Sequence, residues 1–404
     1  MSTLSAPVAI TGVGVLTPLG DTPDLVFSAL CEGRTSLSPA AEYGGIGLAA
    51  IADFEATKYA NVRNLRMYNR TTRLAICAAK LALTEARIDP ATLPPEELGL
   101  LMASTYGHLD VLIEYDRSLV ANGVQRTNGA LMPLAIPSAP GAMVALAFGA
   151  KAFSMTLSDG GSSSLDAMGL AARWLADGRA RACLVVSAFS ASPDIVRVVS
   201  RAGMLAPTGA VHPFDVRGSG TGVGEAAVAF VLERSQDASA RGAVSRGYVC
   251  GYGATFASRP GEHAGALQRA AKEALGSAGR SVDDLALVSA GASGVRALDS
   301  VEGRALSAVL GSRAAQVPVT AVKGALGETL DASGSLQVLA ALVALEKRTV
   351  PPIVGLGEPE VQGLSYSTQQ ASAREGAALV TALSRDGACS AIVLSGAGRE
   401  GAAR

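Results

Sequence analysis

A chain of 404 residues can bury large cores, as two domains or as one doubled domain. Hydrophobic residues make up 49% and aromatic ones only 4%, with 46 glycines, so the cores are expected to be Ala, Val and Leu in tightly packed α/β layers. A net charge of −1 and the lack of any Lys/Arg run argue against nucleic acid or an anionic membrane as partner.

The first residues, MSTLSAPVAITGVGVL, carry no basic n-region and are broken by glycines, which argues against a signal peptide. Residues 7–16 read as a buried strand entering a glycine turn at Gly12-Val13-Gly14. Thr17 stands where the third glycine of a dinucleotide loop would be, so a nucleotide site is not supported. Asp21 is expected to cap a helix reaching Cys31, with Pro23 in its first turn. A second helix is predicted over 72–87, a strand over 98–104 and a helix over 108–120. The proline-broken run ALMPLAIPSAPGAMVALAFG then turns helical. No apolar run reaches the roughly 18–20 residues of a membrane span.

The stretch 154–180, SMTLSDGGSSSLDAMGLAARWLADGRA, organises the chain. A short strand ends at Leu157, a glycine turn follows at Asp159-Gly160-Gly161, and a helix starts among Ser162, Ser163 and Ser164. Leu165, Met168, Ala172, Leu175 and Ala176 form its apolar stripe, and Gly178 stops it. These are the parts of a nucleophile elbow, with glycine at its apex. The continuous apolar run 182–188 reads as a strand covered on both faces.

The second half repeats the plan. A strand over 247–253 enters a glycine turn, helices follow over 261–275 and 298–310, and a strand lies between them at 285–290. A strand over 317–322 leads into a turn, Lys323 to Glu328, and a helix apolar on nearly every side runs to Lys347. Strands over 377–383 and 391–395 form a hairpin around Asp386-Gly387. Leu165-Asp166-Ala167 and Leu330-Asp331-Ala332 occupy matching places, which implies an internal duplication with a site where the halves meet. Five cysteines, Cys31, Cys77, Cys183, Cys250 and Cys389, lie singly without metal spacing and read as reduced core thiols of a cytoplasmic protein.

The opening VAITGVGVLTPLG, then RLAICAAKLAL, LDAMGLAARWLADGRA, HPFDVRGSGTGVGEAAVAFVLE and VKGALGETLDASG together resemble a β-ketoacyl synthase of the thiolase superfamily. The resemblance runs nearly end to end. It implies an α/β thiolase fold, five-layered αβαβα, of two pseudo-repeated halves (1–243, with cap insertions, and 244–404), and an obligate dimer. It also implies a cysteine nucleophile at the elbow and two histidines supporting malonyl decarboxylation. Matched residue by residue, the cysteine position falls on Gly161, the first histidine on Gly291 and the second on Glu328, while Lys323 is kept. A gating phenylalanine maps to Thr221. Glycine offers no thiolate, and a glutamate is a poor substitute for an imidazole donating to a developing enolate. Independent condensation is therefore not expected.

Other readings of the same residues are weaker. Ser162, Ser163 and Ser164 lack a base, since His108 starts a helix, His212 belongs to the PFD motif and His263 sits in a surface-like segment. Helix N-capping is the expected role of the serines. Lys323 is expected to be satisfied by Glu328 or a turn carbonyl, and Asp166 and Asp331 to orient helix starts.

Within the family, the chain-length factor, or β subunit, of type II polyketide ketosynthases fits a degenerate site on an intact scaffold. The resemblance then implies a heterodimer with a catalytic ketosynthase, an acyl carrier protein bearing the growing chain, and no cofactor or metal. Many such subunits carry glutamine at the cysteine position, associated with decarboxylative priming, and Gly161 departs from that. Loss of the histidines as well leans toward the polyene type rather than the aromatic one. The tunnel wall is expected from Leu112, Tyr115, Leu119, Met132 and Met143, and the dimer strand from residues 153–157 with Phe153 and Met155. The alternatives are a diverged enzyme acting as malonyl decarboxylase or acyltransferase, and a homodimeric acyl-binding protein.

Overall fold

The computed structural model describes residues 7–397. Its first half contributes strands β1 (Val8–Leu16), β2 (Leu98–Ala103), β3 (Ser154–Leu157), β4 (Ala182–Phe189) and β5 (Ala226–Arg234). The second contributes β6 (Gly247–Phe256), β7 (Leu285–Ala290), β8 (Pro318–Ala321), β9 (Ala377–Leu383) and β10 (Ala388–Gly396). In the first half the lateral order is β1-β5-β4-β2-β3, antiparallel for the first two pairings and parallel for the last two. In the second it is β6-β10-β9-β7-β8, with the same sequence of directions. Antiparallel pairing of Val8, Ala9 and Ile10 with Val249, Tyr248 and Gly247 joins the halves.

Helices α1 (Pro23–Cys31), α2 (Arg70–Glu85), α3 (Leu109–Asn122), α4 (Ala139–Phe148), α5 (Ser163–Ala176) and α6 (Pro193–Arg201) belong to the first half. Helices α7 (His263–Ser277), α8 (Arg296–Leu310) and α9 (Ser333–Lys347) belong to the second. α5, α9 and α1 share one core between the two sheets, α2 and α4 cover the outer face of the first sheet, and α7 and α8 that of the second. This is the five-layer αβαβα arrangement. Strand β5 shows why both faces are apolar. Its Val228, Phe230 and Leu232 point to the central core while Ala227, Ala229 and Val231 meet α2. In α9 every residue from Ser333 to Ala344 is buried, as its all-round apolarity requires.

Several expectations need correction. Gly12 and Gly14 lie inside β1 rather than in a turn, because α2 packs directly on the strand backbone. A Cβ at these positions would come 2.2 Å from the Ala82 carbonyl oxygen and 2.0 Å from that of Ala78. Gly251 and Gly253 do the same in β6, against Ala274 and Ala270 of α7. The cap of α1 is Thr22, whose hydroxyl accepts from the Leu25 N–H, while Asp21 accepts from the Tyr59 hydroxyl. Lys323–Leu326 is a short helical turn. Among the elements outside the expected set are β5 and α6, although Ser192-Pro193-Asp194 carries a full helix-start signature.

The duplication is real but its register is not the expected one. The partner of Leu330-Asp331-Ala332 is the turn Gly160–Ser162, each being a 3₁₀ turn that opens the following central helix. Ser163 Oγ accepts from the Asp159 N–H at 2.7 Å, and Ser333 Oγ from the Thr329 N–H at 3.1 Å. Gly160 has φ +62° and Leu330 φ +45°, both left-handed. Among the described residues, no helix is long and apolar enough to cross a membrane.

Candidate functional site

The two central turns face one cavity of about 480 Å³. It is bounded by Gly160 and Gly161 of the elbow, Gly291 after β7, Lys323 and Glu328 after β8, and Ser384 of the β9–β10 hairpin. The structure thus brings together four of the five positions singled out for the family's catalytic machinery. The fifth, Thr221, is buried beside the cavity but does not line it. Its backbone pairs with Met204 and Ala206, and its hydroxyl donates to the Gly222 carbonyl at 3.2 Å.

At the elbow, Gly160 suits glycine: its φ is positive, and a Cβ would meet Ser384 Oγ at 2.6 Å. Gly161 is different, since a Cβ there would meet nothing within 4 Å. Its N–H points to Ser384 Oγ at 3.3 Å. The three serines do not cap α5 in the expected way. Ser162 Oγ donates to the Asp159 carbonyl at 3.0 Å, Ser163 ties Asp159 to Gly160, and Ser164 Oγ accepts from the Ser335 N–H at 3.1 Å. All three are buried and none lines the cavity.

On the opposite wall, Lys323 Nζ lies 2.7 Å from Glu328 Oε2, and both side chains are nearly closed to solvent. Glu328 Oε1 also accepts from the Leu330 N–H at 3.0 Å and from the Ser333 hydroxyl. The ammonium is therefore spent on a carboxylate from its own loop.

Behind Gly291 lie two more buried acids of α8. Asp299 accepts from the N–H groups of Phe214, Ser293 and Gly294 at 2.8–2.9 Å; burial pushes its carboxyl up, against those three donors. Glu302 accepts from the Gly291 N–H at 2.9 Å and from Thr381 at 2.7 Å. Burial pushes its carboxyl up to about 7, opposed by the same two hydrogen bonds.

Asp331 does more than orient a helix start. It accepts from Thr105 and Tyr106 N–H at 2.8 and 3.0 Å, holding the loop after β2 against the cavity, and burial pushes it up to about 6. Asp166 accepts from the Tyr252 hydroxyl at 2.7 Å and from Ser390, bridging α5 to the second sheet.

None of the three histidines lines the cavity, nor does any of the five cysteines. His108 is buried at the start of α3, and His263 is buried at the start of α7 rather than at the surface as expected. His212 binds the Gly355 carbonyl through Nδ1 at 2.8 Å. The cavity holds no thiol and no imidazole.

Its apolar walls come from α6, the residue stretch the sequence reading passed over, with Tyr106, Leu109, Met204 and Leu298. None of Leu112, Tyr115, Leu119, Met132 and Met143 lines it. Met132 is 51% exposed and the other four are half-buried. Phe153 stands edge-on to Trp174 at 4.7 Å and fills the space over Gly99. Met155, on β3, is exposed. β3 ends the sheet, with pairing on its β2 side alone.

The β-ketoacyl synthase N-terminal domain model matches residues 5–238, and the C-terminal domain model residues 243–357. The chain belongs to the β-ketoacyl synthase family. Among its relatives, the ketoacyl synthase alpha subunit of the tetracenomycin polyketide synthase of Streptomyces glaucescens is 33% identical, covering 87% of this chain and 88% of that protein. The beta subunit of the same synthase is 30% identical, covering 96% and 98%. A solved structure described as the ishigamide ketosynthase/chain length factor superposes with TM-score 0.88 over 97% of this chain and 99% of that one, at 23% identity. Overall identity thus does not separate alpha from beta subunits.

Proposed function

We propose that this chain is a non-catalytic, chain-length-factor-type β subunit that pairs with a catalytic β-ketoacyl synthase in type II polyketide biosynthesis. It would help shape the tunnel that receives the chain delivered by an acyl carrier protein, in the cytoplasm. The observation that supports this reading is a single cavity lined by Gly161, Gly291 and Glu328, the positions that the resemblance assigns to the family's nucleophile and two imidazoles. A synthase fold without nucleophile or imidazole can still support a partner that has both. The division at 243/244 is part of the same reading.

Support for pairing comes from α3, in which no residue is buried although it carries Leu109, Val111, Leu112, Ile113, Leu119 and Val120. Val120, Val124, Met132, Ile136, Leu146 and Met155 form an exposed apolar set on α3, α4, β3 and the segments between. With the free edge of β3, this surface suits a permanent complex burying on the order of 2,000 Å² or more.

The test is co-expression with a neighbouring ketosynthase that retains its cysteine, followed by loading from acyl carrier protein and intact-mass analysis. A one-to-one complex with the adduct on the partner alone is expected. A stable monomer that ignores the ketosynthase, or a stoichiometric adduct on Ser162, Ser163 or Ser164, overturns the reading.

A further inference from the structure

The cavity behind the inactive elbow is not collapsed. Its volume of about 480 Å³ falls within the range of roughly 300–1,000 Å³ typical of small-molecule sites. Its wall is hydrocarbon from Leu109, Ile195, Val199, Met204, Leu298 and Leu330. Its floor is charged, but every charge there is already committed. Lys323 is bound by Glu328 at 2.7 Å. Asp299 takes three backbone N–H groups, and Glu302 takes the Gly291 N–H and the Thr381 hydroxyl. The other cation on the lining, Arg385, is exposed at the rim, where it donates to the Ala202 carbonyl at 2.8 Å.

A ligand carboxylate entering this floor would face Asp299, Glu302 and Glu328, and the one cation there, Lys323, is already paired with Glu328. A buried charge without a partner is strongly disfavoured. An uncharged polar end meets no such penalty, and the hydroxyls of Ser293 and Ser384 on the lining can serve it.

We infer that this cavity is a non-covalent site for a linear hydrocarbon chain ending in an uncharged amide or alcohol, and that it excludes the same chain ending in a carboxylate. The inference rests on the reading of the chain as catalytically inactive. It assigns that inactive half a ligand of its own, and it places malonyl and free fatty acids outside what the half can hold. Glu328 is the residue that sets this choice, because it occupies Lys323.

The cavity is built from this chain alone, so the purified full-length chain is the sample. Decanamide and decanoate are titrated separately by calorimetry at about pH 8. Decanamide is expected to bind one-to-one, with decanoate weaker by about tenfold or more, as an unpaired buried charge requires. Val199→Trp fills the wall and is expected to abolish decanamide binding, which separates the cavity from surface adsorption. Glu328→Gln frees the Lys323 ammonium and is expected to raise decanoate affinity at least to that of decanamide.

Decanoate binding as tightly as decanamide, absence of decanamide binding, or binding that survives Val199→Trp each overturns the inference. If Glu328→Gln does not fold, the ligand pair and Val199→Trp decide alone. Pairing with a ketosynthase is read on the same preparations by size-exclusion chromatography. Failure to pair would remove the proposed function and leave the ligand result standing, and the converse also holds.

Discussion

At Gly161 the backbone is ready for a side chain that the sequence does not supply. A Cβ meets nothing within 4 Å there, so Gly161→Cys should fold with unchanged stability and place a thiol at the start of α5. The helix N-terminus favours a thiolate, so alkylation by iodoacetamide should proceed readily at neutral pH. Condensation should still be absent, because the two supporting positions remain Gly291 and Glu328. Product formation by the single variant would show that the imidazoles are dispensable. Glu302 offers a second test at this scale. Burial raises its carboxyl from the usual 4.5 to about 7. The folded state therefore holds the proton more tightly than the unfolded one, and the stabilisation is complete below about pH 4.5 and lost as pH rises through about 7. A shift of this size corresponds to roughly 3 kcal/mol. Glu302→Gln stays neutral, so wild type should lose stability relative to the variant between about pH 5 and about pH 8, read from denaturant midpoints. An equal difference at both pH values would mean that Glu302 does not titrate in that window.

The elements show which signals a sequence carries and which it hides. The elbow, the central α9 and the β9–β10 hairpin were legible because periodicity and turn chemistry agree there with the fold. Gly12-Val13-Gly14 misled because glycine usually punctuates, whereas here it lets α2 lie on the β1 backbone. The same demand recurs at Gly251 and Gly253, and this repeated glycine pair marks the duplication better than the two Leu-Asp-Ala triplets, which lie out of register. Gly14→Ala or Gly253→Ala would push a Cβ to 2.0 or 2.2 Å from a helix carbonyl oxygen. Each should cost about 3 kcal/mol, at the upper end of overpacking, by lifting a helix off its sheet. Gly276→Ala, where a Cβ meets nothing within 4 Å inside α7, should be neutral or slightly stabilising. Similar denaturation midpoints for all three variants would refute this account of the strand glycines. The apolar wall of the cavity was missed for another reason: α6 carries its start signal openly, but nothing in one sequence says that Ile195 and Val199 face a cavity rather than a core.

For the whole molecule, the single chain divides its resources between a cavity lined by its own residues and an apolar surface left open. Leu112, Tyr115, Leu119, Met132 and Met143 belong to the second, since none lines the cavity and none is buried. The proposed tunnel role therefore requires that a partner cover α3 and the segment leading into α4. If a tunnel from the partner's cysteine ends against this surface, a bulky side chain there limits product length by denying space to the next two-carbon unit. Each buried methylene is worth roughly 0.8 kcal/mol, so one extra unit accommodated or refused changes the preferred length. Tyr115→Ala removes the largest of the five side chains and should lengthen the product by at least one unit while the heterodimer stays intact, as read by mass spectrometry of released products and by co-purification. Alanine at all five positions, with assembly preserved and product lengths unchanged, would place length control in the catalytic partner. Loss of assembly in the multiple variant with normal length control in each single one would make these residues interface contacts and nothing more.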